Sequence, residues 1–237
     1  MPMYRLADLI VSVEGAGEYT LKQMEDYRCT GPVKIVPQIR VEVTKAMILR
    51  ERALEGDGFS DEYLECIAVY RAYCEQALLH DVLFFHASAL AKDGGAYLFA
   101  GKSGAGKSTH TRMWRETFGS SVTIINDDKP LIRFVGGVPY VYGTPWDGKD
   151  HLNTNIKMPV RGIAFLEKAD TCRIDRLCYT EGRRRTLEQL FRPARWEQKQ
   201  QNVMCASRLV NTVPMYRLAC DISAHAAVLA YETMSRG

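Results

Sequence analysis

Apolar and polar positions change their period several times along the chain, and each change predicts an element. In the first eighty residues, positions 4–13 read as a strand and 20–27 as a short helix. Positions 33–44 alternate as a strand, with Pro37 pointing to an edge or a bulge. Tyr63, Ile67, Tyr70, Cys74 and Ala77 recur at helical spacing, so a helix over 61–79 is predicted, capped by Ser60 or Asp61. Gly56, Asp57 and Gly58 mark the loop ahead of it. From residue 81 the pattern turns strand-rich. Positions 82–91 and 96–100 read as strands about the turn Lys92-Asp93-Gly94-Gly95. Four turn residues allow an antiparallel hairpin and no parallel crossover, which needs a dozen residues or more.

A helix follows over 108–118, then a short strand over 122–126 that ends in Asp127-Asp128. Positions 131–135 and 138–142 flank Gly136-Gly137 as a second hairpin. Beyond the loop 143–149, strands are predicted at 160–166, 172–177 and 213–219, and helices at 180–191, 196–209 and 223–234. No repeat or low-complexity segment interrupts the series. The expected class is α/β with a mixed sheet, arranged as an N-terminal α+β lobe over residues 1–80 and a second domain over 81–237.

Composition narrows the partners. A chain of 237 residues with 46% hydrophobic and 25% charged positions is ordinary for a globular protein. Its net charge of +3 carries no strongly basic face, so nucleic acid is not an expected partner. The one dense basic cluster is Arg183-Arg184-Arg185, with Arg192 and Arg195 nearby; it reads as a solvated helix face or as a dock for an acidic ligand. The seven cysteines are scattered, odd in number and free of any C-x-x-C spacing. Neither a zinc pattern nor a disulfide framework is expected, and reduced thiols in a cytoplasmic protein are. No signal layout or membrane-length apolar run is visible, so no membrane partner is expected.

The chemistry concentrates at Gly101-Lys102-Ser103-Gly104-Ala105-Gly106-Lys107-Ser108, followed by Thr109, which fills G-x-x-x-x-G-K-[ST] between a predicted strand and a predicted helix. Glycines let the backbone turn and approach a phosphate closely, and the helix N-terminus presents N–H groups and a positive dipole end. Lys107 is the expected partner of the β and γ phosphates, and Ser108 of Mg²⁺. ATP and Mg²⁺ are the expected cofactors. Asp127 and Asp128 end the next strand on opposite faces, so one would face the metal and the other an acceptor hydroxyl; a turn before Pro130 is the competing reading. His86 lies in an apolar run on the strand predicted beside the loop strand. His110, His151 and His225 show no metal spacing. Trp146, in Thr144-Pro145-Trp146-Asp147-Gly148-Lys149, is either an exposed closing residue or a core-packed turn residue.

The order His86-Ala87-Ser88, hairpin, Gly101–Ser108 loop, short helix, Asp127-Asp128, Val160-Arg161-Gly162-Ile163 resembles the C-terminal kinase domain of the HPr kinase/phosphorylase family. That family shares a P-loop fold with phosphoenolpyruvate carboxykinase. The likeness covers about residues 81–170. It implies an active-site histidine at His86, a proton-accepting aspartate at Asp128 with Asp127 able to help hold the metal, and an arginine at Arg161 that steadies transferring charge. Pro159 stands where the family has a metal-binding glutamate, the family's later arginine segment is missing, and residues 1–80 do not resemble its N-terminal domain. The expectation is therefore a Mg-ATP-dependent phosphotransferase acting on a serine or threonine in a peptide or protein, or on a small alcohol, rather than on HPr. Related kinases imply a homo-oligomer. The alternatives are a phosphorylase or hydrolase with the same site, and a nucleotide-binding recognition module with little catalysis.

Overall fold

A tight turn at Ala7 and Asp8, with φ of 48° and 60°, splits the first predicted strand into β1 (Met3–Leu6) and β2 (Leu9–Glu14). Two successive residues in the left-handed region make the turn that two-residue hairpins favour. Neither residue is glycine, so the sequence conceals the turn. The structure, a computed structural model, describes residues 2–31 and 36–237. It forms two compact units, residues 1–80 and 81–237.

In the first unit β2 pairs antiparallel with β1 and parallel with β3 (Ile39–Glu42). The strand expected over 33–44 is thus shorter, and its positions 33–35 lie outside the described residues. Helix α1 covers Glu18–Gln23, α2 Lys45–Glu55 and α3 Asp61–Ala77. Ser60 Oγ accepts from the Tyr63 N–H at 3.3 Å and caps α3. The α2 helix had no counterpart in the periodicity. Its Leu49 and Leu54 are exposed, and it is tied to α3 by Arg71, whose Nε and Nη2 donate to the buried Glu51 at 2.6 and 2.8 Å.

The second unit is built on a nine-stranded mixed sheet. The long strand expected over 82–91 breaks into β4 (Val82–Phe84) and β5 (Ala87–Lys92), which take different neighbours. The break occurs because Phe85 and His86 are claimed by two other segments. Phe85 N–H donates to Pro130 O at 3.2 Å and His86 N–H to Gln189 O at 2.9 Å. Strand β5 and β6 (Gly95–Ala100) form the expected antiparallel hairpin, closed by Asp93 and Gly94 at positive φ. Helix α4 (Lys107–Phe118) leads to β7 (Thr123–Asn126), which pairs with the other edge of β5. Strands β8 (Leu131–Val135) and β9 (Val138–Tyr142) are the second hairpin, as expected.

Strand β10 (Lys157–Lys168) begins against β9 and continues parallel to β6. It then runs parallel to β12 (Met215–Cys220), whose outer neighbour is β11 (Arg173–Arg176). The strand order β7-β5-β6-β10-β12 fixes everything that follows. Helices α4 and α7 (Ala224–Met234) pack together over Tyr97, Phe99, Ala164 and Leu218, with Trp114 fully buried between them. Helices α5 (Tyr179–Gln189) and α6 (Trp196–Thr212) pack on each other, and α6 runs against β4 and β9.

Candidate functional site

The parallel strands β6, β10 and β12 all end on one side of the sheet, where open α/β sheets receive ligands. The antiparallel β5 starts there and β7 ends there, close to β6. A cleft of about 940 Å³ runs along this edge.

At its centre is the loop between β6 and α4. Gly101, Gly104 and Gly106 have φ of 158°, 77° and 101°. A side chain on Gly101 would meet Ala105 Cβ at 2.9 Å, so the turn closes only around glycine there. The first turn of α4 faces the cleft with Lys107, Ser108 and Thr109. Lys107 Nζ donates to Gly101 O at 3.2 Å across the loop. Burial lowers the lysine pKa, and the Asp128 carboxylate partly restores it. Ser103, Gly104, Ala105 and Gly106 line the cleft, while Gly101 and Lys102 border a second hollow beside α5.

Two aspartates stand beside the loop with different surroundings. Burial pushes the Asp128 carboxyl up, but a hydrogen bond from His86 and the Lys129 ammonium overcome it and hold it down at about 2. The distances are 3.0 Å from His86 Nε2 to Oδ1 and 2.5 Å from Lys129 Nζ to Oδ2. Asp127 is raised instead, by burial and by the neighbouring charges of Asp147 and Asp128, against a Gly148 N–H that donates to its Oδ1 at 2.6 Å. The structure therefore brings Lys107, Ser108, Asp127, Asp128 and His86 to one cleft. His86 reaches it from the break between β4 and β5, not from mid-strand as the pattern suggested.

Arg161 is not brought there. Val160 lies opposite Ala96 at the start of β6, and Arg161 packs against Gly95, whereas the loop leaves β6 beyond Ala100, opposite Phe165. Four residues of strand, about 13 Å, separate Arg161 from that end. Pro159, paired with Tyr140, is farther still. Arg161 and Pro159 thus lie outside this cleft, by their position along one strand.

Trp146 also departs from one of its two expected readings. It is 2% exposed and packs inward. Asp147 is held by Asn153 Nδ2 at 2.6 Å and by His151 at 3.1 Å, so the wall of the cleft is formed by Gly148, Lys149 and Asp150. The arginines of α5 are engaged within the protein: Arg183 donates to Ser207, Arg184 pairs with Glu181 and Glu188, and Arg185 with Glu181 and Glu167. His110 is buried, its pKa lowered to about 4 by burial, and its Nε2 accepts from Trp114 Nε1 at 3.0 Å.

Three positioning residues escaped the sequence reading. Asn126 is fully buried; its Oδ1 accepts from the N–H groups of Asp128 and Lys129 at 2.9 and 2.6 Å. Its Nδ2 lies 3.0–3.2 Å from Thr144 O, Thr144 Oγ1 and Trp146 O, so one side chain shapes both the aspartate turn and the facing loop. Ser88 Oγ donates to Asp127 O at 2.9 Å, and Lys129 neutralises Asp128. The available signal was an Asn closing a strand before two aspartates, a favourable start for an Asx turn.

For a divalent cation, the described residues contain no cluster of three or more His, Cys, Asp or Glu arranged as a metal site. Magnesium needs less from a protein, commonly one or two hard oxygen ligands with the rest from water and phosphate. Ser108, Asp127 and Asp150 line one recess, and the burial and neighbouring negative charges that raise Asp127 are what a cation there would offset.

No protein-family profile matches the chain, and no curated protein matches it in sequence. Among solved structures, the HPr(Ser) kinase/phosphatase from Coxiella burnetii is similar at 14% identity. The likeness covers 65% of this chain and 88% of that one, with a TM-score of 0.38. No helix among the described residues is long and apolar enough to cross a membrane.

Proposed function

We propose that the protein is a phosphotransferase that moves the terminal phosphoryl group of a nucleoside triphosphate, ATP with Mg²⁺, to a hydroxyl on a peptide or small molecule. The observation that carries this reading is the presence, in one cleft, of a glycine-rich helix N-terminus with Lys107 and of a carboxylate, Asp128, hydrogen-bonded to His86. Backbone N–H groups and Lys107 would hold the phosphates, and Ser108 with Asp127 would hold the metal, which supplies charge neutralisation between phosphates when bound. Asp128, kept ionised, would orient the acceptor hydroxyl and take its proton late. Phosphoryl transfer through a loose transition state asks more for positioning and charge balance than for a strong base. His86 would fix one Asp128 oxygen and leave its remaining lone pairs to the acceptor.

The 2.5 Å contact of Lys129 with Asp128 favours one second reading. With both carboxylate oxygens engaged, the site would bind nucleotide as a recognition module and transfer nothing.

Transfer of γ-labelled phosphate to peptide and small-alcohol libraries separates the two. The kinase reading expects labelled product that Lys107→Ala and Asp128→Asn both abolish, with Asp128→Asn still binding nucleotide. Full transfer by Asp128→Asn would remove that residue from the reaction. Tight nucleotide binding with no transfer to any acceptor would select the recognition module.

A further inference from the structure

The cleft does not end at the loop. Past it, in the direction away from Asp128, the wall is the adjoining ends of the paired strands β10 and β12: Lys168 to Asp170 beside Cys220 to Ile222, joined by the Ala169 N–H donating to Cys220 O at 3.1 Å. Two strand steps separate β6 from β12, about 10 Å, so this end begins where a triphosphate held by the loop would give way to its nucleoside. Neither the loop nor the aspartates have any use for these groups.

Their chemistry is specific. Ile222 is 72% exposed, a large apolar side chain at the wall of a polar cleft. It is held there rather than left loose. Asp221 Oδ1 accepts from Ser223 Oγ at 2.5 Å and from Cys172 Sγ at 3.0 Å, while Ser223 Oγ caps α7 by accepting from the Ala226 N–H at 3.3 Å. Beside them, Lys168 and Asp170 are exposed, and among the described residues their side chains carry no ion pair or hydrogen bond. An apolar face, a lysine stem and a free carboxylate are the parts needed to hold a flat heterocycle that bears N–H donors.

We infer that the β10–β12 end of the cleft is a seat for a purine base, with Ile222 against the ring face and the Asp170 carboxylate accepting from its amino or ring N–H groups. The inference rests on the reading of the Gly101–Ser108 loop as a phosphate cradle, and it assigns the other half of the ligand. Two fused rings cover more of Ile222 than one ring does, which favours a purine.

Inorganic tripolyphosphate occupies the cradle without a base, so it separates the two assignments. Binding of Mg-ATP and of magnesium tripolyphosphate to the full chain is measured by titration calorimetry for the wild type, Asp170→Ala and Ile222→Asn. Both positions are exposed, so the variants keep the fold, which circular dichroism checks. The expected result is a loss of about tenfold in ATP affinity for each variant with tripolyphosphate affinity unchanged. Variants that weaken both probes alike, or neither, overturn the base seat and leave the cradle standing. A wild type that binds tripolyphosphate as tightly as ATP also overturns it. If the wild type binds neither probe, the cradle itself fails and takes the seat with it.

Discussion

At the scale of single residues, environment decides chemistry. Asp127 and Asp128 are adjacent and chemically identical, yet one is raised and the other is held at about 2, because only Asp128 meets His86 and Lys129. His110 is the same lesson applied to stability. Its folded pKa of about 4 lies below the ordinary 6.5, so the folded state prefers the neutral ring. The stability it contributes is complete above pH 6.5 and is lost as pH falls toward 4, a loss of about 3 kcal/mol over that window. His110→Gln keeps an acceptor for the Trp114 N–H and removes the titration. Urea unfolding between pH 7 and 4.5 should therefore show a shallower acid slope in the variant than in the wild type. Equal slopes would mean that another group carries the acid sensitivity.

At the scale of elements, the aspartate turn and the loop 143–149 behave as one piece because Asn126 is bonded to both. Asn126→Ala strips acceptors from two backbone N–H groups and leaves a buried gap, at a cost of about 2–4 kcal/mol. Denaturant unfolding should register that loss, and under the proposed kinase function phosphoryl transfer should fall more than nucleotide binding, since Lys107 and the loop are untouched. The elements also show what the pattern of the chain could and could not reveal. The two hairpins about Asp93-Gly94 and Gly136-Gly137 were legible because glycine marks the turns. The turn at Ala7 and Asp8 carries no such mark, and α2, held by the Glu51–Arg71 pair, has little apolar stripe to read. The division of β4 from β5 comes from partners far along the chain, Pro130 and Gln189, which local periodicity does not encode. The site followed the same rule. The loop glycines and Lys107 announced themselves by motif, whereas Asp128 and Arg161 were placed by order along the chain, and Arg161 lies at the end of its strand away from the cleft.

At the scale of the molecule, every residue of the cleft belongs to the unit 81–237. Residues 81–237 produced alone should unfold in one cooperative transition and bind magnesium tripolyphosphate as the full chain does. A fragment that melts without a transition would show that residues 1–80 are needed for the fold of the site. The placement of the three tryptophans offers a means of following such experiments without labels. Trp114, on the loop helix, and Trp146 are buried, while Trp196 stands in solvent at 67% exposure. Replacing Trp196 with Phe leaves two shielded indoles, one bonded to His110 of the cleft lining and one two residues before Gly148 of its wall. Their emission, poor in access to iodide and blue-shifted, becomes a built-in optical gauge of events at the loop and its facing wall.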